Sequence, residues 1–146
     1  MVADWDSRFL EMARLVSTWS KDPSTQVGAV ITRGKFVVSL GFNGHPKGVA
    51  DTADRLENRE AKYRTIIHAE MNAILTAKQD LEGCTIYVWP FMPCSQCASI
   101  IIQSGIRRVV TVPSESERWA ESFRYTEELF REAGVELVMR SAEPQG

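Results

Sequence analysis

A His68-Ala69-Glu70 triplet, separated by 22 residues from Pro93-Cys94-Ser95-Gln96-Cys97, constrains this chain more than any other feature. Imidazole and two thiolates are good zinc donors, and three protein ligands leave the fourth tetrahedral position open to water. Zinc lowers the pKa of such a water from about 16 to about 7. Both halves stand where a loop or strand enters a helix, so two helix N-termini can converge on the metal. Their partial positive charge favours thiolates and anionic intermediates. Residues two apart on a helix do not share a face, so Glu70 is poorly placed to chelate beside His68. It is better placed beside the water, where a carboxylate moves protons.

Other readings of these residues stay open at this point. A Cys-x-x-Cys that opens a helix after a strand also occurs in thioredoxin-like redox sites, which require neither His68 nor Glu70. A structural zinc site needs a fourth ligand, and Cys84 and His45 are the remaining candidates. His68 as an ordinary helix residue is a third reading, in a chain with only two histidines.

Hydrophobic periodicity supplies the elements around the motif. Phe9, Met12, Ala13, Leu15, Val16 and Trp19 follow a helical period from Asp4 to about Ser20, and Pro23 breaks it. Val27 to Thr32 and Phe36 to Phe42 read as a hairpin around Arg33-Gly34-Lys35. A glycine-rich loop, Gly41 to Gly48, follows, and Val49 to Lys62 reads as an ordered loop or short helix. A helix is expected from His68 to Lys78 with Met71, Ile74 and Leu75 inward, then a strand from Cys84 to Trp89. A helix from Cys94 to Ser104, a strand from Arg107 to Val112, a helix from Glu117 to Ala133 and a strand from Val135 to Met139 complete the pattern. This order predicts an α/β fold: a central sheet between helices, antiparallel at its first hairpin and mostly parallel afterwards. Residues 1–146 are expected to form a single domain, with 141–146 a polar tail.

Composition excludes several classes of function. The 17 basic and 19 acidic residues give a net charge of −2, so no bulk positive field captures polynucleotide, though a local basic patch can hold one phosphate. No apolar run approaches the length of a membrane span, and the acidic N-terminus lacks the order of a signal peptide. Three cysteines, two of them in one tight pair, suit metal chemistry in a reducing compartment, and a cytoplasmic protein is expected.

The His-x-Glu and Pro-Cys-x-x-Cys pair is the signature of zinc nucleobase deaminases. With three further stretches, the sequence resembles the deoxycytidylate (dCMP) deaminases within the cytidine and deoxycytidylate deaminase superfamily. These stretches are Ser20-Lys21-Asp22-Pro23-Ser24-Thr25-Gln26-Val27-Gly28-Ala29-Val30, Gly41-Phe42-Asn43-Gly44-His45-Pro46-Lys47-Gly48 and His68-Ala69-Glu70-Met71-Asn72-Ala73-Ile74. The likeness runs from Trp5 to Val138.

The resemblance implies a three-layer α/β/α cytidine deaminase-like fold with a five-stranded mixed sheet. It implies a zinc-dependent hydrolase that converts dCMP to dUMP and ammonia. His68, Cys94 and Cys97 would hold zinc, and Glu70 would shuttle the proton. Asn43 would bond the sugar 3′-hydroxyl, the alternative being a turn residue in the left-handed region. The Ala69 N–H would hold the base carbonyl. Lys21, Ser24 and Thr25 belong to a loop expected over the substrate phosphate, the alternative for Lys21 being a solvated helix-end cation.

Many members of the family carry ligands for a second, structural zinc before the His-x-Glu motif. Val49 to Ile67 holds no cysteine or histidine, so one zinc per chain is expected. The stretch from Val112 to Trp119 also departs from the tyrosine-containing segment often found there. A homo-oligomer, with dCTP and dTTP as effectors, is implied in the same way, and Trp119, Phe123 and Phe130 are expected to help form the contact between subunits, the alternative being that all three pack on the sheet. The rival functions are deamination of another cytosine compound, of guanine or of a tRNA adenosine, and a catalytically idle zinc-binding interaction domain.

Overall fold

A computed structural model describes residues 4–140; the expected tail at 141–146 lies outside them. Five strands form one sheet in the order β2-β1-β3-β4-β5. The strands are β1 (Gly28–Arg33), β2 (Phe36–Phe42), β3 (Thr85–Trp89), β4 (Arg108–Thr111) and β5 (Glu136–Met139). β1 is antiparallel to both β2 and β3, whereas β3, β4 and β5 run parallel. The mixed sheet expected from the element order is therefore present.

Side chains alternate across the sheet, and each face carries its own apolar cluster. Val30, Tyr87 and Val110 point to one face, where Phe9, Leu10, Ala13 and Val16 of α1 (Trp5–Ser17) cover them. Ala29, Ile31, Ile86, Val88 and Val109 point to the other. There they meet α4 (Ala69–Ala77), α5 (Ser95–Gln103) and α6 (Ala120–Ala133). The result is three layers, helix, sheet and helices.

Helix α1 starts where Asp4 accepts a hydrogen bond from the Ser7 N–H at 2.8 Å, satisfying one of the free first-turn donors. It ends at Ser17, earlier than the apolar period suggested, and Thr18 and Trp19 close it with a tight turn. The stretch read as a loop or short helix is two short helices, α2 (Ala53–Glu57) and α3 (Arg59–Thr65), capped by Thr52 and Asn58. One turn of 3₁₀ helix (Glu117–Trp119) precedes α6.

The inner face expected for α4 needs correction. Leu75 is 60% exposed, whereas Ala69, Glu70 and Ala73 are buried. The cause is close packing on β2. A Cβ at Gly41 would lie 2.5 Å from the Ala73 nitrogen and 2.7 Å from the Ala69 carbonyl oxygen. Only small residues fit at that crossing, so alanines occupy the contact with β2. Ile74 still packs against the core cluster as expected, and it is Leu75 that turns to solvent.

Register then gathers the loops that matter. Gly28, the first residue of β1, pairs with Phe42 at the end of β2 and with Trp89 at the end of β3. The segments 18–27, 43–52 and 90–94 therefore meet at one edge of the sheet.

Candidate active site and metal centre

The helix starts of this chain illustrate a local rule and its exception. Asp4, Thr52 and Asn58 occupy N-cap positions and use their side chains to cap their own helices. His68 and Cys94 are the N-cap residues of α4 and α5, with the same extended backbone, yet neither side chain caps its helix. Both are free to reach across the gap between the two helix starts. Cys97 follows in the first turn of α5 and is fully buried.

The imidazole Nδ1 of His68 lies 3.2 Å from the Cys97 sulfur and 3.4 Å from the Cys94 sulfur. All three ligand atoms fall within 4.8 Å of one another. Zinc bonds of about 2.0–2.1 Å to nitrogen and 2.3 Å to sulfur at tetrahedral angles put N and S about 3.6 Å apart. The triad is thus slightly contracted around a space of the right size, and its donors are those zinc prefers. The residues fit the metal. Among the described residues neither Cys84 nor His45 joins them. The His45 nitrogens instead bond Asp51 at 3.1 Å and Thr65 at 2.9 Å. The fourth position is left to a non-protein ligand, which is the requirement of a catalytic rather than a structural site.

The protonation pattern suits metal capture. Hydrogen bonding to Cys97, opposed by burial and reinforced by His68, pulls the Cys94 thiol down to about 4. The bond to Cys94 and burial push the Cys97 thiol up, and the bond to Cys94 raises His68. One thiolate is held by two neighbouring protons, and a dication replaces both. Burial pushes the Glu70 carboxyl from the ordinary carboxylate range up to about 7, against the pull of His68. A carboxyl in that range can both take and give a proton near neutrality.

A cavity opens beside the triad. His68, Ala69, Glu70 and Cys94 form one wall, Asp22, Thr25, Val27 and Asn43 another. Phe91, Trp119 and Phe123 supply an apolar side, with Phe91 ring centroids 6.4 Å from Trp119 and 5.8 Å from Phe123. The Ala69 N–H belongs to the first turn of α4 and has no partner within the helix.

Asn43 is buried and lies outside the left-handed region, so the turn-residue alternative does not hold. Its Oδ1 accepts from the Val27 N–H at 2.9 Å, and its Nδ2 donates to the Thr25 carbonyl at 2.9 Å. Lys21 is placed differently from the expectation. Its side chain is 75% exposed and pairs with Asp51 at 3.3 Å, and it does not line the cavity. Pro23 and the Asp22-centred turn that follows it direct Lys21 outward. Ser24 also lies off the wall, bonded to Lys62 at 2.7 Å, while Thr25 reaches it.

Sequence reasoning missed Lys62, Tyr63 and Arg118, which complete the lining. Nothing in their local sequence marks them. Trp119, Phe123 and Phe130, which were expected at a subunit contact, face inward. Phe130 and Phe123 are buried, and Trp119 lines the cavity. Trp119 and Phe123 pack on Phe91, and Phe130 packs in the core cluster against the sheet.

The sequence profile of the cytidine and deoxycytidylate deaminase zinc-binding region matches residues 3–112. The chain belongs to the cytidine and deoxycytidylate deaminase family. An uncharacterized deaminase from the luxG 3′ region of Aliivibrio fischeri is 53% identical over 142 residues, 94% of this chain and 95% of that one. Among family members, the deoxycytidylate deaminase of Mus musculus is 40% identical and that of Homo sapiens 38%, each across 90% of this chain and 77% of its own length. The fold is shared with the dCMP deaminase of cyanophage S-TIM5, whose structure holds dCMP and dUMP. The TM-score is 0.76 across 96% of this chain and 99% of that one, at 22% identity.

Proposed function

We infer that the protein hydrolyses dCMP to dUMP and ammonia. The observation that carries this reading is the convergence of His68, Cys94 and Cys97 on one wall of a cavity that also holds the buried Glu70. The relatives named deoxycytidylate deaminase, alike over nine-tenths of the chain, favour a cytosine deoxynucleotide over other bases.

Zinc held by His68, Cys94 and Cys97 would supply a Lewis acid that makes water nucleophilic at neutral pH. The protein's own groups do the rest. Glu70 takes a proton from the water attacking C4 of the cytosine and passes it to N3. It then takes the remaining proton of the oxygen added at C4 and delivers it to the amino group, which leaves as ammonia as the C4–N bond breaks and the C4 carbonyl forms. Ala69 donates its backbone N–H to the base carbonyl. Asn43 has both amide hydrogens and one Oδ1 lone pair engaged by Val27, Thr25 and Asp22. Its second Oδ1 lone pair remains to accept from the sugar 3′-hydroxyl. Phe91, Trp119 and Phe123 exclude water from the base.

Ammonia release from dCMP, dCTP, deoxycytidine, cytidine, guanine and adenosine tests the reading. Turnover should be greatest on dCMP. Activity on guanine or a tRNA anticodon loop, with none on dCMP, would overturn the substrate while leaving the zinc chemistry standing. The bland alternative, an idle zinc-binding domain, has no use for a carboxylate buried beside the metal ligands.

Self-association is part of the proposal, on a different surface from the one first expected. Leu15, Trp19, Leu40 and Phe42 are exposed near the β2 edge, with Trp19 and Phe42 in edge-to-face contact at 6.2 Å. Light scattering at micromolar concentration should report more than a monomer.

A further inference from the structure

Four charged side chains line the cavity: Asp22, Glu70, Lys62 and Arg118. Three have a task already. Glu70 stands beside the metal ligands, and the Lys62 ammonium is neutralised by Asp22 at 3.1 Å and also donates to the Ser24 hydroxyl at 2.7 Å. Arg118 is left. Among the described residues it makes no ion pair, so its positive charge has no balancing carboxylate.

The guanidinium is nonetheless held in place. It donates one N–H to the Tyr63 hydroxyl. Its centre also lies 5.0 Å from the Trp119 ring and 6.0 Å from the Tyr63 ring. Tyr63 belongs to α3 and Arg118 to the 3₁₀ turn before α6, so this contact spans the mouth of the cavity. Five N–H donors in a planar fork are available to a guanidinium, and one goes to Tyr63. The rest can grip two oxygens of a tetrahedral dianion at once, a geometry that an ammonium cannot match.

We propose that Arg118 is the specificity-determining residue that reads the 5′-phosphate of the substrate, with Tyr63 as its positioning residue. The proposal rests on the dCMP reading, and the experiment distinguishes failure of one from failure of the other. Lys21, the cation first expected to serve the phosphate, points away from the cavity and is paired with Asp51. Lys62 is already neutralised by the buried Asp22 carboxylate and bonded to Ser24, so it offers a phosphate no unbalanced charge. Arg118 lies in the stretch from Val112 to Trp119, which departs from the tyrosine-containing segment often found in the family.

The test measures kcat/KM on dCMP and on deoxycytidine for the wild-type holoenzyme, Arg118→Gln, Arg118→Lys and Tyr63→Phe. Wild type should prefer dCMP by about two orders of magnitude. Arg118→Gln should lower dCMP efficiency by about 10²-fold, chiefly through KM, while deoxycytidine efficiency moves far less, so the preference collapses. Arg118→Lys should recover part of the preference, because charge returns without the fork. Tyr63→Phe should lose a smaller part, on dCMP alone. Equal wild-type efficiency on the two substrates would overturn the nucleotide reading and this assignment together. A wild-type preference that Arg118→Gln retains would overturn the assignment and leave the function intact. Equal losses on both substrates would show Arg118 to be structural, which also overturns it.

Discussion

The Lys62 ammonium lies 3.1 Å from the Asp22 carboxylate, joining α3 to the loop that follows α1, and the two side chains are only 10% and 3% exposed. Asp22 is the hub of that loop. It also accepts from the Ser24 N–H at 2.9 Å, the Ser24 hydroxyl at 3.0 Å and the Thr25 N–H at 3.1 Å, with the Asn43 amide at 3.4 Å. A charge withdrawn from water holds the cavity wall in one conformation.

Removing one partner of such a pair leaves the other buried and uncompensated, which costs about 3–5 kcal/mol. Lys62→Met should therefore lower the urea midpoint by several kcal/mol equivalents of stability. It should also weaken dCMP and deoxycytidine together, because the loop and Asn43 lose their anchor. Urea titration followed by the two-substrate assay checks both. A stability change under about 1 kcal/mol would mean the orphaned Asp22 carboxylate finds water.

The same pair sets an acid dependence. Burial raises the Asp22 carboxyl, but the Ser24 and Thr25 N–H groups and Lys62 outweigh it, and the net shift is downward. A carboxyl depressed in the folded state adds stability that is complete above its unfolded pKa of about 4 and is lost as pH falls through the folded value. Asp6 behaves alike, lowered by its bidentate contact with Arg108 at 2.8 and 2.6 Å and by the Tyr87 hydroxyl at 2.7 Å. Unfolding free energy should fall below about pH 4. It should fall less steeply in Asp22→Asn and in Asp6→Asn, measured by urea titration across pH 2–6.

Metal and proton roles separate by mutation. The purified protein should hold close to one equivalent of zinc, and Cys94→Ala should lose it. Glu70→Ala should keep the metal and the fold while turnover drops by roughly 10²-fold or more, the size expected of a positioned acid–base group. Elemental analysis beside the ammonia assay reads both outcomes, and near-normal turnover of the Glu70 variant would refute the mechanism.

Gly41 tests how the scaffold positions the chemistry. An alanine Cβ there would meet the backbone of α4 at 2.5 Å, a contact that side-chain motion cannot relieve. Gly41→Ala should cost about 1–3 kcal/mol through overpacking. It should also lower kcat, because α4 carries Ala69 and Glu70. Thermal denaturation and the dCMP assay together check this.

How much of this was legible in the sequence differs from residue to residue. His68, Glu70, Cys94 and Cys97 could be named in advance because few side chains bind zinc or move protons, and a site that uses them needs fixed local spacing. The elements could be read for a similar reason: helix and strand periods are properties of neighbouring residues. The antiparallel first hairpin and the parallel later strands followed from one short connection and then alternating strands and helices.

On α4, Ile74 could be read as inward, but the alanine contact and the outward turn of Leu75 could not, because Gly41 on another element decides which residues fit there. Nor could the fate of the charges. Lys21 and Lys62 are indistinguishable as lysines, yet one meets Asp51 in water and the other meets Asp22 away from it, 40 residues distant. Arg118 lies 55 residues from the tyrosine that steadies it. The sequence by itself determined the metal, the proton carrier and the order of the layers, since each rests on the chemistry or periodicity of residues close in the chain. Only the tertiary structure decided which cations are neutralised and which face the cavity, because a charge is paired or free only once folding brings its partner within a few ångströms.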